Sequence, residues 1–440
     1  MKKLIIIITT LLLSISLYSQ YQVIFSIDSA KFRFDDVYFV NDTVGFVVGI
    51  DARIQGTAPG LILRTKDGGI SWDTTIFNAT TKPTNLHTVH FPTQDTGYVA
   101  GFGTTIAKTT NGGNTWNILD STGLPWGADF KTIYFLNAYE GFVSLGNSGS
   151  LLAKTNDGGL SWNIYGGINI IGGRELDFVG DSIGVLCSGN GYFITKNSGI
   201  SWDTITTGIS FSSHSISFSS TNIGFIAGLG SYGTPNFNYG VIGRTIDGGQ
   251  TWSSKEFQSI RMLNTIFAVD SNIVYAGGDP QGIGNVRGFM KSPDGGLNWG
   301  FQECSNCDPT LRPIISSMYF VDAKIGYAVD PWGFIYKTTN GGGTIYELGM
   351  EDISTSLTVQ DIYLYPNPAQ NYINILLNKP SSRDIEIQIY DIVGKLINTY
   401  NHENLQSFNK IDISKLKAGI YFVKVGFGNG EFVLEKFVKM

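Results

Sequence analysis

Residues 65–72 of the chain read TKDGGISW, and this motif decides the fold because six further stretches repeat it. The repeats read TTNGGNTW from Thr109, TNDGGLSW from Thr155, TKNSGISW from Thr195, TIDGGQTW from Thr245, SPDGGLNW from Ser292 and, in a degenerate form, TTNGGGTI from Thr338. Their eighth positions, Trp72, Trp116, Trp162, Trp202, Trp252, Trp299 and Ile345, follow one another at steps of 44, 46, 40, 50, 47 and 46 residues. Such a step is the length of one four-stranded propeller blade. The sequence therefore predicts an all-β fold class with a seven-bladed β-propeller.

The residues around each motif predict the strands of a blade. An apolar run with an aromatic residue precedes each copy, and a second run usually opens with glycine and an aromatic residue, as in Gly45-Phe46 and Gly97-Tyr98. A third strand enters the motif, and the tryptophan begins a fourth. We therefore expect each unit to be an antiparallel meander whose two faces pack against neighbouring blades.

The third motif position is Asp in four copies and Asn in three. A side-chain oxygen at this position can accept hydrogen bonds from the amides of the turn. Because Asn replaces Asp, the position needs an acceptor rather than a charge, which favours a structural role over catalysis or calcium binding. The second glycine is present in all seven copies, as a positive φ angle requires. The structural positions are Asp67, Asn111, Asp157, Asn197, Asp247, Asp294 and Asn340.

These seven motifs resemble the BNR or Asp-box repeat. Together with the Gly-aromatic second strand, they make residues 30–350 most similar to the propeller family of photosystem II stability and assembly factors and its relatives outside photosynthesis. The resemblance is specific for the fold and only weakly specific for function. The same repeat also occurs in sialidases, xyloglucan-cleaving enzymes and sorting receptors.

The degenerate seventh motif bears on how the ring closes, since an open ring would leave bare strand edges. Ile345 stands where the other copies have Trp. We expect residues 22–27 to pair with the last blade as its closing strand. The alternative is that residues 344–348 complete that blade and the N-terminal strand merely covers an edge.

The first residues have the pattern of a targeting signal, because Lys2 and Lys3 precede an apolar run over residues 4–17. We expect a signal peptide over residues 1–19, cleaved near Ser19 or Gln20, then the propeller over residues 21–350 and a linker over residues 351–361. No later segment approaches the roughly 20 apolar residues that a membrane helix needs, so no transmembrane segment is predicted.

Residues 362–440 read as seven short strands, which predicts a small Ig-like β-sandwich. Their motifs resemble the type A C-terminal sorting domain of type IX secretion, a pathway of Bacteroidota. The matching positions include Pro366, Asn367, Pro368, Asp391, Gly394, Lys395, Gly419 and Tyr421. The resemblance implies that the type IX translocon is a partner, and that the mature protein is secreted or attached to the outer cell surface. The alternative is an ordinary adhesive Ig-like module.

The net charge of −6 is unevenly distributed along the chain. Residues 21–361 carry 19 Lys and Arg against 29 Asp and Glu, a net charge of −10, whereas residues 362–440 carry 9 against 7, a net charge of +2. An acidic body repels phosphate backbones, so nucleic acid is not an expected partner.

Three cysteines are too few for a disulfide framework. A Cys304–Cys307 disulfide is the expected pairing in an exported protein, with free thiols as the alternative. A metal site would need two more ligands, which the pattern does not supply. No P-loop, nucleotide-binding glycine fingerprint, HExxH or Ser-His-Asp signature is present, so we expect neither a cofactor nor a metal.

Long insertions fall on the face opposite the Asp-box turns, and lengthened loops on one face of a repeat scaffold usually mark the functional side. Candidate ligand-binding residues in these loops are Trp126, Tyr232, Arg287, Arg312 and Trp332. Counting four residues back from the aromatic residue of each inner strand gives Asp35, His87, Lys131, Arg174, His214, Leu263 and Ser316. These residues predict a polar ring at the channel mouth. The alternative is that the inner strands simply end in solvent there.

The favoured function is a non-catalytic propeller that binds a protein or a glycan. The alternative is a glycan-cleaving Asp-box enzyme, a glycoside hydrolase. A sialidase-like site would need three converging arginines with a tyrosine nucleophile, and a xyloglucanase-like site would need two facing carboxylates. No catalytic residue is singled out, because the repeats align neither of these sets.

Overall fold

The computed structural model describes residues 21–26, 32–51, 59–77, 84–120, 122–125, 127, 129–146, 151–165, 174–188, 191–205, 211–232, 237–280, 288–304, 313–343, 346–347, 362–365, 369–377, 385–392, 395–402, 408–426 and 432–440. The chain divides into two compact units, Met1–Asp352 and Ile353–Met440. Among the described residues, no helix combines the length and the apolar character needed to cross a membrane.

Over its described residues, the first unit contains seven antiparallel sheets preceded in sequence by β1 (Gln22–Ser26). Blade 1 is β2 (Phe32–Phe39), β3 (Gly45–Asp51), β4 (Gly60–Thr65) and β5 (Asp73–Phe77). Blade 2 is β6 (Leu86–His90), β7 (Gly97–Gly101), β8 (Ile106–Thr109) and β9 (Asn117–Ile118), with a 3-10 turn at Phe102–Thr104. Blade 3 is β10 (Asp129–Phe135), β11 (Gly141–Gly146), β12 (Leu151–Thr155) and β13 (Asn163–Ile164).

The remaining blades follow in the same order. Blade 4 is β14 (Glu175–Val179), β15 (Ile183–Ser188), β16 (Gly191–Thr195) and β17 (Asp203–Ile205). Blade 5 is β18 (Ser212–Phe218), β19 (Gly224–Tyr232), β20 (Phe237–Thr245) and β21 (Ser253–Phe257). Blade 6 begins with β22 (Ile260–Ala268), β23 (Val274–Pro280), β24 (Phe289–Ser292) and β25 (Gly300–Phe301), and blade 7 with β26 (Ser317–Phe320), β27 (Gly326–Val329) and β28 (Phe334–Thr338).

The sheets form a closed ring. The innermost strand of each blade contacts the innermost strand of the next, and β2 of the first blade contacts β26 of the last. Apolar clusters fill the spaces between adjacent sheets, as where Phe46 of blade 1 packs with Val89 and Phe91 of blade 2. The predicted seven-bladed propeller is confirmed.

The N-terminal strand completes the last blade. Strand β1 pairs antiparallel with β28, from Gln22 opposite Lys337 to Ser26 opposite Phe334. The chain beyond the seventh motif instead forms β29 (Tyr346–Glu347), which pairs with β25 and adds a fifth strand to blade 6. The preferred closure is therefore confirmed over residues 22–26, and the alternative in which residues 344–348 complete blade 7 is wrong.

Each Asp-box turn is held by its own side chains. In the first copy, the Gly69 N–H donates to Thr65 Oγ1 at 2.8 Å, the Thr65 hydroxyl donates to Asp67 Oδ1 at 2.8 Å, and the Ser71 N–H donates to Asp67 Oδ1 at 2.9 Å. Asn111 Oδ1 accepts the corresponding backbone N–H at 3.0 Å, so the bond does not depend on a negative charge. The second glycine has φ between +71° and +92° in all seven copies.

Lysine and arginine side chains link the outer parts of neighbouring blades, a set of contacts that the sequence analysis does not predict. Lys337 Nζ of blade 7 donates to the Gly68 carbonyl of blade 1 at 2.6 Å, and Arg244 Nε donates to the Gly295 carbonyl at 2.6 Å. Six third strands place a cation that bonds an oxygen of the next blade: Arg64, Lys108, Lys154, Arg244, Lys291 and Lys337. Blade 4 carries Ile194 at this position.

The second unit is a β-sandwich. One sheet contains β30 (Ile362–Tyr365), β31 (Tyr372–Leu377) and β34 (Phe408–Asp412), and the other contains β33 (Leu396–His402), β32 (Ile385–Asp391), β35 (Gly419–Gly426) and β36 (Phe432–Lys439). Its core joins the two sheets, with Ile373 and Ile411 from the first packed with Ile387, Val423 and Phe437 from the second. The predicted small β-domain is confirmed.

The sorting-motif residues lie at strand ends and turns of this unit. The Lys395 N–H donates to Asp391 Oδ1 at 2.9 Å in the turn that joins β32 to β33. Gly419 opens β35, and Tyr421 stacks on Phe437 with ring centroids 5.5 Å apart. Pro366, Asn367, Pro368 and Gly394 lie outside the described residues.

Candidate ligand-binding face

The inner strands of five blades carry a bulge near the face opposite the Asp-box turns. In blade 1 the register of β2 against β3 shifts between Phe34 and Asp36, which leaves Asp35 as an extra residue. The same shift occurs in β6, β10, β18 and β22, while Arg174 and Ser316 occupy the equivalent place in blades 4 and 7 and donate their backbone N–H groups to the paired strand. A bulge re-aims the side chain of its extra residue. We call these seven positions the mouth ring: Asp35, His87, Lys131, Arg174, His214, Asn264 and Ser316.

Blade 6 corrects one sequence assignment. Counting back from Phe267 predicts Leu263 in the ring, but Leu263 is fully buried. Ala268, not Phe267, pairs with Val274 at the start of the second strand, so the equivalent ring residue is Asn264. An alignment on aromatic residues misses this one-residue offset.

Glycines opposite the bulges are a sequence signal that finds them. A Cβ at Gly101 would lie 1.7 Å from the Asn85 carbonyl oxygen, so no side chain fits at this position of blade 2. Four blades have glycine here, four residues after the start of their second strand: Gly49, Gly101, Gly228 and Gly278. A second glycine at this spacing therefore marks both the bulge and the residue that it projects.

Five side chains form a chain across blades 1, 2 and 3 in which carboxylates alternate with basic groups. Arg33 Nε lies 2.9 Å from Asp35 Oδ1, and Asp35 Oδ2 lies 2.9 Å from His87 Nδ1. On the other side of the imidazole, His87 Nε2 lies 3.3 Å from Asp129 Oδ1, and Asp129 Oδ2 lies 2.6 Å from Lys131 Nζ. We call these five residues the mouth chain. It links side chains of three neighbouring blades through the His87 imidazole.

Blades 4 and 5 present a different electrostatic environment. Arg174 is exposed, and among the described residues no carboxylate lies within 4.0 Å of its guanidinium. Burial, reinforced by the charge of Arg174, lowers the pKa of His214 to about 4, so this imidazole is neutral at pH 7. On blade 6, by contrast, Arg261 forms an ion pair with Asp279.

One residue deeper, a second ring of oxygen-bearing side chains connects the inner strands. The Val89 N–H donates to Asp36 Oδ2 at 3.0 Å, and the Ile216 N–H donates to Glu175 Oε2 at 3.1 Å, in each case from the next blade. The Ser317 hydroxyl donates to Asp36 Oδ1 at 2.7 Å across the junction of blades 7 and 1. This wall ring comprises Asp36, Thr88, Thr132, Glu175, Ser215, Thr265 and Ser317. Its carboxylates replace the ladder hydrogen bonds that adjacent blades lack.

Replacing Glu175 with Gln should stabilise the protein at alkaline pH. Burial raises the pKa of Glu175 from 4.5 to about 8, so the folded state favours the protonated form. That contribution is complete below about pH 4.5 and is lost as the pH rises through about 8. Gln is neutral and keeps an oxygen acceptor for the Ile216 N–H. We expect E175Q to exceed the wild type by about 2–4 kcal/mol in free energy of unfolding at pH 8.5, with a much smaller difference at pH 5.

Urea unfolding at the two pH values measures this difference. The matched control is Glu256→Gln on β21, where the glutamate is exposed. Equal pH dependence of E175Q and E256Q would contradict the assignment of Glu175 as a buried protonated group.

The other candidate residues are only partly described. Trp332 lies between β27 and β28, is 45% exposed, and donates its backbone N–H to Asp330 Oδ1 at 3.0 Å. Tyr232 ends β19 on the same face. Trp126, Arg287 and Arg312 lie outside the described residues.

The two described cysteines differ in their bonding state. Cys304 is disulfide-bonded and Cys187 is a buried free thiol. Cys307 lies outside the described residues, so the Cys304–Cys307 pairing stays a prediction. Within the described ranges, no group of three His, Cys, Asp or Glu side chains is arranged to hold a metal ion.

Two family models match parts of the chain. The secretion system C-terminal sorting domain matches residues 363–440, and the photosynthesis system II assembly factor YCF48 matches residues 16–129. No curated protein sequence matches the chain. The sorting domain marks a protein that is secreted or attached to the outer cell surface.

Solved structures share the fold at low sequence identity. YCF48 bound to D1 peptide is 16% identical, with 73% of this chain and 98% of that chain covered and a TM-score of 0.55. YCF48 from Cyanidioschyzon merolae is also 16% identical, with the same coverage and a TM-score of 0.52. The GH74 enzyme of Niastella koreensis is 13% identical, with 91% and 71% covered and a TM-score of 0.50. The chain is thus an Asp-box β-propeller of the kind seen in YCF48, followed by a type IX secretion C-terminal sorting domain.

Proposed function

We propose that the mature protein is a non-catalytic propeller that binds a protein or glycan ligand outside the cell, on the face that carries the mouth ring. This proposal rests chiefly on the bulges of blades 1, 2 and 3, which lie at equivalent positions and project ionisable side chains onto this face. Arg174 has no carboxylate within 4.0 Å among the described residues, and Trp332, on the same face of blade 7, is 45% exposed. Exposed Arg and Trp side chains are typical of interface hot spots.

The wall carboxylates weigh against the hydrolase alternative. A glycosidase needs an acid and a second carboxylate with room between them for the sugar and a water. Asp36 and Glu175 are the wall carboxylates at repeat-equivalent positions, but both accept backbone N–H groups of the next blade. Their oxygens therefore stabilise the ring rather than face a substrate.

The structural neighbours fit binding as well as cleavage. The YCF48 structure holds a D1 peptide, whereas the GH74 structure is an enzyme. Their fold is thus compatible with either activity, and the choice depends on the residues of this chain. We further propose that the type IX translocon recognises residues 362–440 before the propeller reaches its final location.

Binding to immobilised glycans and to cell-surface extracts tests the proposal with the mature full chain. The variants Arg174→Gln and Trp332→Ala should each weaken saturable binding at least about tenfold, which corresponds to about 1.4 kcal/mol. The matched control is Ile200→Ala, because Ile200 is 73% exposed in an Asp-box turn on the opposite face. Equal binding by all three variants would place the ligand elsewhere, and release of reducing sugar ends would favour the enzyme.

A further inference from the structure

The His87 imidazole occupies an unusual position, because both ring nitrogens face carboxylates. Nδ1 lies 2.9 Å from Asp35 and Nε2 lies 3.3 Å from Asp129. A neutral imidazole has one donor and one acceptor nitrogen, so only the imidazolium donates to both carboxylates. The Nδ1 contact with Asp35 is a hydrogen bond, and the Nε2 contact with Asp129 lies within ion-pair distance, so a protonated ring gains favourable contacts on both sides.

The surroundings favour the same state. Burial by itself lowers the pKa of His87, but the hydrogen bonds and charges of Asp129 and Asp35 outweigh it and raise the pKa above 6.5. Contacts with His87 and Lys131 in turn keep the pKa of Asp129 low against the opposing effect of burial. Arg33, which is also on β2, forms an ion pair with Asp35.

The charged groups around the ring are those of the mouth chain: Arg33 and Asp35 on β2, and Asp129 and Lys131 on β10. On the inner strand of blade 2, Leu86 and Thr88 flank His87, and Gly101 lies across the bulge on β7. Asp36, the next carboxylate along β2, is bonded to the backbone N–H of Val89. Asp35 and Asp129 are thus the two carboxylates whose contacts with the ring depend on its proton.

The bulges give these side chains freedom to respond. Asp35, His87 and Lys131 are the extra residues of three register shifts, so they can move without breaking ladder hydrogen bonds. With His87 protonated, the mouth chain carries three positive and two negative charges. Loss of the proton leaves two of each and turns one imidazole lone pair toward a carboxylate.

We propose that His87 is a pH-sensitive clamp of the binding face: protonated, it holds the mouth of blades 1, 2 and 3 together, and deprotonated, it releases one carboxylate. The released carboxylate is free to accept a cationic or hydrogen-bond-donating group of a ligand. The ligand consequence rests on the proposed function, whereas the clamp itself is a property of the unliganded protein. Binding on this face should therefore change as the pH rises through the pKa of His87, which lies above 6.5.

NMR titration of the histidine ring signals tests the clamp in the mature full chain without a ligand. The signal absent from His87→Gln identifies His87, and we expect its midpoint above 6.5 with both ring N–H protons visible at pH 6. Asp129→Asn should lower the midpoint by about one pH unit, because one of the two carboxylates is lost. Asp279→Asn is the matched control, since this change breaks the Arg261 pair on blade 6 and should leave the His87 midpoint unchanged.

A midpoint at or below 6.5, or equal midpoints in the wild type and Asp129→Asn, would overturn the proposal. Circular dichroism at pH 6 checks that each variant is folded. A second readout is hydrogen exchange of the amides around residues 86–88 and 129–132, corrected for intrinsic rates. Their protection should fall on deprotonation in the wild type and stay constant in His87→Gln, whatever ligand the face binds.

Discussion

Replacing Tyr21 with alanine should lower the free energy of unfolding by about 3–5 kcal/mol. Tyr21 is fully buried, its ring stacks on Phe289 with centroids 4.0 Å apart, and its backbone N–H donates to the Glu303 carbonyl at 3.1 Å. It also anchors the start of β1, which supplies the outer strand of blade 7. Loss of the ring leaves a cavity and loosens the strand that closes the propeller. Urea unfolding of residues 21–440 measures the change.

Tyr21→Phe is the matched control. The Tyr21 hydroxyl is buried without a hydrogen-bond partner among the described residues, so its removal loses no bond. We expect Tyr21→Phe to be as stable as the wild type or slightly more stable. If alanine and phenylalanine had the same small effect, the closing strand would not limit the stability of the ring.

Gly101→Ala should have a comparable effect, with a loss of about 3 kcal/mol or more. The added methyl group would lie 1.7 Å from the Asn85 carbonyl oxygen and 2.7 Å from its carbonyl carbon, and both are backbone atoms. The inner strand of blade 2 would have to shift away from β7, and the bulge that aims His87 would be distorted. Thermal unfolding followed by circular dichroism measures the loss.

Gly146→Ala tests whether the cost arises from the backbone clash. Gly146 ends β11 on the same face of blade 3. The methyl group added there would have Cε of the Lys131 side chain as its nearest neighbour, at 2.9 Å. A flexible lysine can move aside, so we expect a change within about 1 kcal/mol. Similar losses in the two variants would show that the bulge does not set the requirement at Gly101.

The sequence predicts the blade count well because each Asp-box turn needs the same residues for the same reason. Thr65, Asp67 and Gly69 form one set of hydrogen bonds with a positive φ angle, and the six other copies preserve its elements. The missing Trp at Ile345 likewise pointed to a different strand at the end of blade 7. Such local requirements are visible in one sequence.

The candidate site was harder to predict because its geometry depends on register. Spacing from Phe267 selected the buried Leu263, and only the pairing of Ala268 with Val274 identifies Asn264. The sequence predicts polar residues at this end of the inner strands, but the contact of Asp35 with His87 joins residues 52 positions apart. No pattern within one blade reveals a bond between two blades.

The route of the chain out of the propeller has a consequence for cargo maturation. Blade 7 consists of β26, β27 and β28, which precede the end of the seventh motif, and of β1. The later strand Tyr346–Glu347 pairs at the outer edge of blade 6. Cleavage of the chain after residue 347 would therefore remove no strand of the propeller. The ring that β1 closes takes none of its described strands from residues 362–440.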